Sequence, residues 1–172
     1  MTGHARGFPP IAAPGARILI LGSMPGQASL AAGQYYAHPR NAFWPIMGAL
    51  LGFDPALPYP ERAVRLAAAG VALWDVLHAC TRPGSLDTAI DRDSAEPNDF
   101  AAFFAAQPGI RHVFFNGSAA AALFRRHDQL PPGAAGTRLP STSPAHAGRN
   151  FADKLAAWQA VADALAGCGR RG

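Results

Sequence analysis

Four short stretches of this chain concentrate groups able to act on a nucleic-acid base or a phosphate. The longest begins Gly22-Ser23-Met24-Pro25-Gly26 and, after Gly33, continues through Tyr35-Tyr36-Ala37-His38-Pro39-Arg40-Asn41-Ala42-Phe43-Trp44. Two glycines and a proline let the backbone approach a ligand closely, and Tyr, His, Arg and Asn side chains follow at once. The others are residues 75–87, Asn116-Gly117-Ser118, and residues 140–148, which include Ser141-Thr142-Ser143. Gly117-Ser118 opens a helix, where unpaired backbone N–H groups suit an anion. The hydroxyls of 141–143 add further donors.

Each group also has an ordinary structural use. Asn116 and Ser118 can cap the alanine-rich helix that follows them, Asp75 can cap or face solvent, and Tyr35 and Tyr36 can be half-buried aromatics. His146 can be structural, and a Gly-x-x-Pro-Gly run also serves a plain turn. What favours a site is the position of all four stretches. Apolar runs lead into them at 17–22, 71–74, 111–115 and 137–139, and these read as strands.

Helical patterns alternate with the strands. Phe43, Ile46, Met47 and Leu50 recur at helical spacing before Gly52, and 61–69 follows. Phe100, Phe103 and Phe104 share a face, an alanine-rich stretch starts at Gly117-Ser118, and Phe151, Leu155, Trp158, Ala162 and Leu165 form the clearest stripe. Alternation of this kind predicts a three-layer α/β/α sandwich around a mainly parallel four-stranded sheet. Parallel strands place the loops that follow them on one edge, where open sheets of this class bind ligands. Residues 1–15 read as a flexible arm and 16–168 as one domain.

Composition sets the outer limits. With 172 residues, 49% of them hydrophobic, the chain can bury a core, and a net charge of +4 is compatible with a polyanionic partner. Cys80 and Cys168 are the only cysteines, too few for a four-cysteine zinc or iron–sulfur site. Two isolated thiols suggest a reducing, cytoplasmic setting. The N-terminus lacks a signal-like apolar stretch, no apolar run reaches membrane-spanning length, and nothing suggests an obligate assembly, so a monomer is expected.

The long first stretch resembles the first signature of the uracil-DNA glycosylase superfamily, and Leu139-Pro140-Ser141-Thr142-Ser143-Pro144-Ala145 resembles its second. With Leu73-Trp74-Asp75-Val76-Leu77, Arg82-Pro83-Gly84-Ser85-Leu86-Asp87 and Phe115-Asn116-Gly117-Ser118, the chain is most similar to the hypoxanthine-DNA glycosylase branch, over about residues 16 to 166. The resemblance implies an enzyme of base-excision repair that flips a deaminated base from DNA and hydrolyses its N-glycosidic bond without metal or cofactor.

It also implies residue roles. Many relatives position the water with an Asp or Asn where this chain has Met24, a departure that argues against ordinary uracil excision; in the hypoxanthine branch the role falls to the residue matching Asn41. Asp75 would accept the N1–H of hypoxanthine, backbone N–H groups of Ser23 and Met24 would serve O6, and Asn116 would line the same pocket. Tyr36 or Phe43 would stack on the base. Ser141, Thr142 and Ser143 would contact the DNA backbone, and 144–148 would probe the gap left by the base. Leu139 stands where relatives often carry a histidine, with His146 as its candidate substitute. His38, Arg40 and Arg149 are candidate phosphate contacts. A mismatch-type uracil glycosylase and a non-catalytic nucleic-acid-binding module are the competing readings. A serine hydrolase built on Ser143 and His146 would lack a Gly-x-Ser-x-Gly elbow.

Overall fold

The computed structural model describes residues 3–145 and 148–169. Its centre is a four-stranded sheet of β2 (Ile18–Gly22), β3 (Val71–Asp75), β6 (His112–Asn116) and β7 (Ala135–Leu139), in the order β3-β2-β6-β7 with every pair parallel. These are the four strands expected from the apolar runs. All five residues of β2 are buried, as a central strand covered on both faces requires.

Alternation along β2 divides the core. Ile18 and Ile20 face a cluster containing Phe43, Ile46 and Met47 of α2 (Phe43–Leu51), Leu66 of α3 (Tyr59–Ala68), and Trp158, Val161 and Leu165 of α6 (Phe151–Gly169). Leu19 and Leu21 face the other cluster, with Phe100 and Phe103 of α4 (Phe100–Ala106) and Ala120, Leu123 and Phe124 of α5 (Ser118–His127). The outcome is the expected three-layer α/β/α sandwich. Among the described residues, no helix is long and apolar enough to cross a membrane.

Register determines what meets at the functional edge. Gly22 pairs with Asp75 at the carboxyl ends of β2 and β3, and Asn116 pairs with Leu139 at the ends of β6 and β7. The loops that follow therefore start side by side.

Three segments differ from their reading in the sequence. The described part of the 1–15 arm is structured: β1 (His4–Arg6) pairs antiparallel with β4 (Leu77–Thr81), and Ile11 bridges Leu73. Apolar contacts anchor it, with Ala5 buried and the Phe8 ring edge-on to Tyr35 at 5.2 Å. Second, strands flank what reads as a turn-rich segment after Asp75. β4 pairs with β5 (Asp91–Pro97), forming a second, antiparallel sheet in the order β1-β4-β5. The β5 sequence, Asp-Arg-Asp-Ser-Ala-Glu-Pro, has no apolar alternation because none of its residues is fully buried. The stretch 27–32, expected as loop, also forms a short helix, α1 (Gln27–Ala32), closed by Gly33 in the left-handed region.

Candidate active site

A cavity of about 720 Å³ opens at the carboxyl edge of the parallel sheet, and all four polar stretches contribute to its wall. A site of this size accepts a nucleotide-sized group. Ser23, Met24, Tyr36, His38, Arg40, Asn41, Asp75, Asn116, Ser141, Thr142 and Ser143 all line it. Phe43 and Arg149 do not, and His146 falls outside the described residues.

The first loop is held from several sides. Trp44 Nε1 donates to Tyr35 O at 2.8 Å, Tyr35 N–H donates to Tyr59 Oη at 3.2 Å, and Ala37 N–H donates to Ser29 Oγ at 3.1 Å. Tyr36 stands among them at φ 55°, a left-handed conformation that non-glycine residues seldom adopt. Its ring stacks on Phe43 at 4.3 Å between centroids. Phe43 itself is fully buried. The expectation that either aromatic could stack on a base is thereby corrected: Tyr36 presents to the cavity, whereas Phe43 backs it within the core. The helical stripe containing Phe43 carried that signal.

Asn41 is fixed by its neighbours. Its Oδ1 accepts from Phe43 N–H at 2.9 Å at the start of α2, while its own N–H donates to His38 O at 2.9 Å. One lone pair of Oδ1 and the Nδ2 donors are left for the cavity.

The second loop is bolted to the sheet. Asn116 Nδ2 donates to Thr142 Oγ1 and Thr142 N–H donates to Asn116 Oδ1, both at 2.9 Å. That pair uses the Asn116 side chain, and α5 begins with no side-chain cap, so neither Asn116 nor Ser118 caps this helix. Ala42 N–H donates to Thr142 O at 3.0 Å, joining the two signature loops directly. Trp158 Nε1 donates to Pro140 O at 2.9 Å, and the buried Lys154 donates through Nζ to Ser143 O at 3.4 Å. Lys154 and Trp158 belong to α6, and sequence spacing marks only the latter as inward-facing. Leu139 is buried in the core beneath the loop.

Asp75 is the electrostatic centre of the cavity. It is 3% exposed, and its Oδ2 has no hydrogen-bond partner among the described residues. Burial, aided by the nearby Asp87 carboxylate and opposed by Arg82, raises its pKa from 3.8 to about 7. The Tyr36 hydroxyl beside it is also buried, with no hydrogen-bond partner in geometric reach among the described residues. Burial, then the proximity of Asp75, keeps that phenol protonated far above neutral pH.

Arg82, Ser85 and Asp87 brace the first loop, and residue-type reasoning did not single them out. Arg82 is fully buried; its Nη2 donates to Pro25 O and its Nε to Gly84 O at 3.1 Å, and Nη1 lies 4.0 Å from Asp87 Oδ1. Ser23 Oγ donates to the same Asp87 oxygen at 2.5 Å, and Gln27 N–H donates to Ser85 Oγ at 2.8 Å. The loop after β4 therefore clamps the first loop. Nothing in the loop's own sequence marks Arg82 as buried, and only the three-dimensional contacts reveal it. Among the described residues, no three His, Cys, Asp or Glu side chains come together in a way that could hold a metal ion.

Two predictions arise here. A Cβ at Gly22 would collide with Asp75 Oδ1 and lie 2.8 Å from Tyr36 Oη. Gly22→Ala is therefore expected to displace both groups and cut activity by roughly tenfold or more, since small misplacements at a reacting centre are costly; steady-state rates beside a thermal melt separate this from unfolding. The second concerns pH. Because Asp75 holds its proton in the fold up to about 7 but loses it near 3.8 when unfolded, the folded chain binds more protons across that window. Stability then falls as pH rises through it. Urea melts at pH 4 to 7 should show this slope in the parent and a flatter one in Asp75→Asn.

Comparison with known proteins agrees with this architecture. Residues 9–165 match the family model described as the uracil DNA glycosylase superfamily. A hypoxanthine DNA glycosylase of Methanosarcina barkeri is 40% identical over 113 residues, 65% of this chain and 70% of that protein. One of Methanosarcina acetivorans is 37% identical over the same shares. A solution NMR structure of a candidate uracil DNA glycosylase from Methanosarcina acetivorans superposes with a TM-score of 0.78 at 32% identity, covering 94% of this chain and 98% of that one. By the extent of the family match, the chain belongs to the uracil DNA glycosylase superfamily.

Proposed function

We propose that the protein is a DNA glycosylase that removes hypoxanthine from deoxyinosine by hydrolysis. The observation that carries this reading is a buried Asp75 with a free Oδ2 in the wall of a cavity that also holds Asn41. Stacked in a duplex, the base hides its glycosidic bond, so it must first be flipped into the cavity. Tyr36 then stacks on it.

As the C1′–N9 bond breaks, its electron pair stays with the base and C1′ becomes cationic. A water held by Asn41 adds to C1′ and loses a proton, and the departing base anion takes up one proton, so that the products are the C1′ hydroxyl and neutral hypoxanthine. The amide cannot act as a strong base, so its contribution is orientation. Asp75 reads the opposite edge. In its neutral form it offers a carbonyl oxygen to N1–H and a hydroxyl to O6, which complements the base edge with two hydrogen bonds. That form also avoids placing a second negative charge beside the departing base anion. An apolar Met24 and a cavity of this size support a purine over uracil, whose edge offers the same donor and acceptor.

Duplexes carrying one inosine, uracil or xanthine test the reading. Alkali-labile breaks at inosine in excess of the others are expected. Breaks mainly at uracil would move the protein to a neighbouring specificity, and DNA binding without breaks would leave a binding module.

A further inference from the structure

A large apolar side chain stands exposed at the mouth of the cavity. Leu86 is 57% exposed and lines the cavity wall. The other exposed large hydrophobics among the described residues, Val64 on α3 and Phe151 on α6, do not line it. Single exposed leucines are common. This one differs in its mount. Residues on either side are tied down, with Arg82 and Asp87 bound to the first loop, Ser85 Oγ accepting from Gln27 N–H, and Leu86 O accepting from Ala89 N–H at 3.0 Å. The side chain is held in solvent on a braced loop instead of being left there by slack.

The second signature loop, which also lines the cavity, has no comparable group in its sequence. From 140 onwards it reads Pro, Ser, Thr, Ser, Pro, Ala, and the sequence continues His146-Ala147-Gly148 without a large aliphatic residue. A flipped nucleotide leaves an apolar gap in the stack, and proteins that distort DNA commonly fill such gaps with an aliphatic side chain.

We infer that Leu86 is a wedge that enters the duplex beside the flipped nucleotide and holds the vacated space. The inference rests on the reading of this cavity as the receptor for a flipped base. The wedge matters only where a stack must be opened, so its loss penalises duplex substrates and spares single strands.

The test compares the parent, Leu86→Ala and Leu86→Phe on inosine in duplex and single-stranded oligonucleotides, with stopped-flow fluorescence of 2-aminopurine placed next to the inosine. Leu86→Ala is expected to lose about tenfold in duplex excision, keep its single-strand rate, and lose most of the fluorescence rise; Leu86→Phe restores both. Equal losses on both substrates, no loss on either, or a full fluorescence rise with alanine would overturn the wedge. If the parent excises nothing, the proposed function fails, while the fluorescence rise, which requires only binding and unstacking, still decides on Leu86. Absence of any rise with the parent counts against the wedge.

Discussion

Asn41→Ala is expected to lower the rate of base removal by roughly 10²- to 10³-fold, the range lost when a positioned polar group is taken from a reacting centre. The side chain lines the cavity and is oriented by its bond to Phe43 N–H. Truncation removes both the water ligand and a partner of the first turn of α2, which costs about 1 kcal/mol of stability. Two measurements keep these effects apart. Thermal unfolding should shift by a few degrees only, and DNA binding should persist. Asn41→Asp retains an acceptor for Phe43 N–H and for water, so it should keep more activity than alanine. Equal loss in both variants would instead assign the rate to the Nδ2 donors.

The second large effect lies across the cavity. Asp75→Ala removes both hydrogen bonds to the base edge and should reduce kcat/KM by about 10²-fold or more, since each buried bond lost is worth roughly 1–3 kcal/mol. Asp75→Asn is more informative. Its amide presents one acceptor and one donor at every pH, as the neutral acid does. The parent, with Asp75 titrating at about 7, should lose activity as pH rises through that value. Asp75→Asn should retain substantial activity and show a flatter profile above neutrality. If the asparagine variant is as impaired as alanine and the parent gains activity with pH, the carboxylate is the working form and the two-bond reading is wrong.

Much of this site was legible because strand ends are easy to read. Buried runs such as Ile18-Leu19-Ile20-Leu21 announce a central strand, and the polar residues that follow each run must then share one edge. Asn41, Asp75 and Thr142 come together for that reason. What stayed hidden depends on contacts between distant segments. Nothing local to Arg82 says that its guanidinium is buried against Pro25 O, and Lys154 sits in a helix whose spacing does not distinguish a buried lysine from a solvated one. The polar β5 shows no strand periodicity, since its pairing to β4 is specified by backbone hydrogen bonds without a buried face. Phe43 shows the limit of motif reading: its place in the signature suggested the base pocket, whereas its helical phase, equally visible, put it in the core.

Hydrolysis of the glycosidic bond in this cavity is tested most directly by the identity of the product. Incubating the protein, with EDTA present, with a duplex containing one deoxyinosine and analysing the small molecules by mass spectrometry should reveal free hypoxanthine, in amounts equal to the alkali-labile sites formed. The same incubation with Asn41→Ala should give little of either. Release of no base from duplex or single strand, or alkali-labile sites with no free hypoxanthine, would contradict hydrolysis of the glycosidic bond in this cavity.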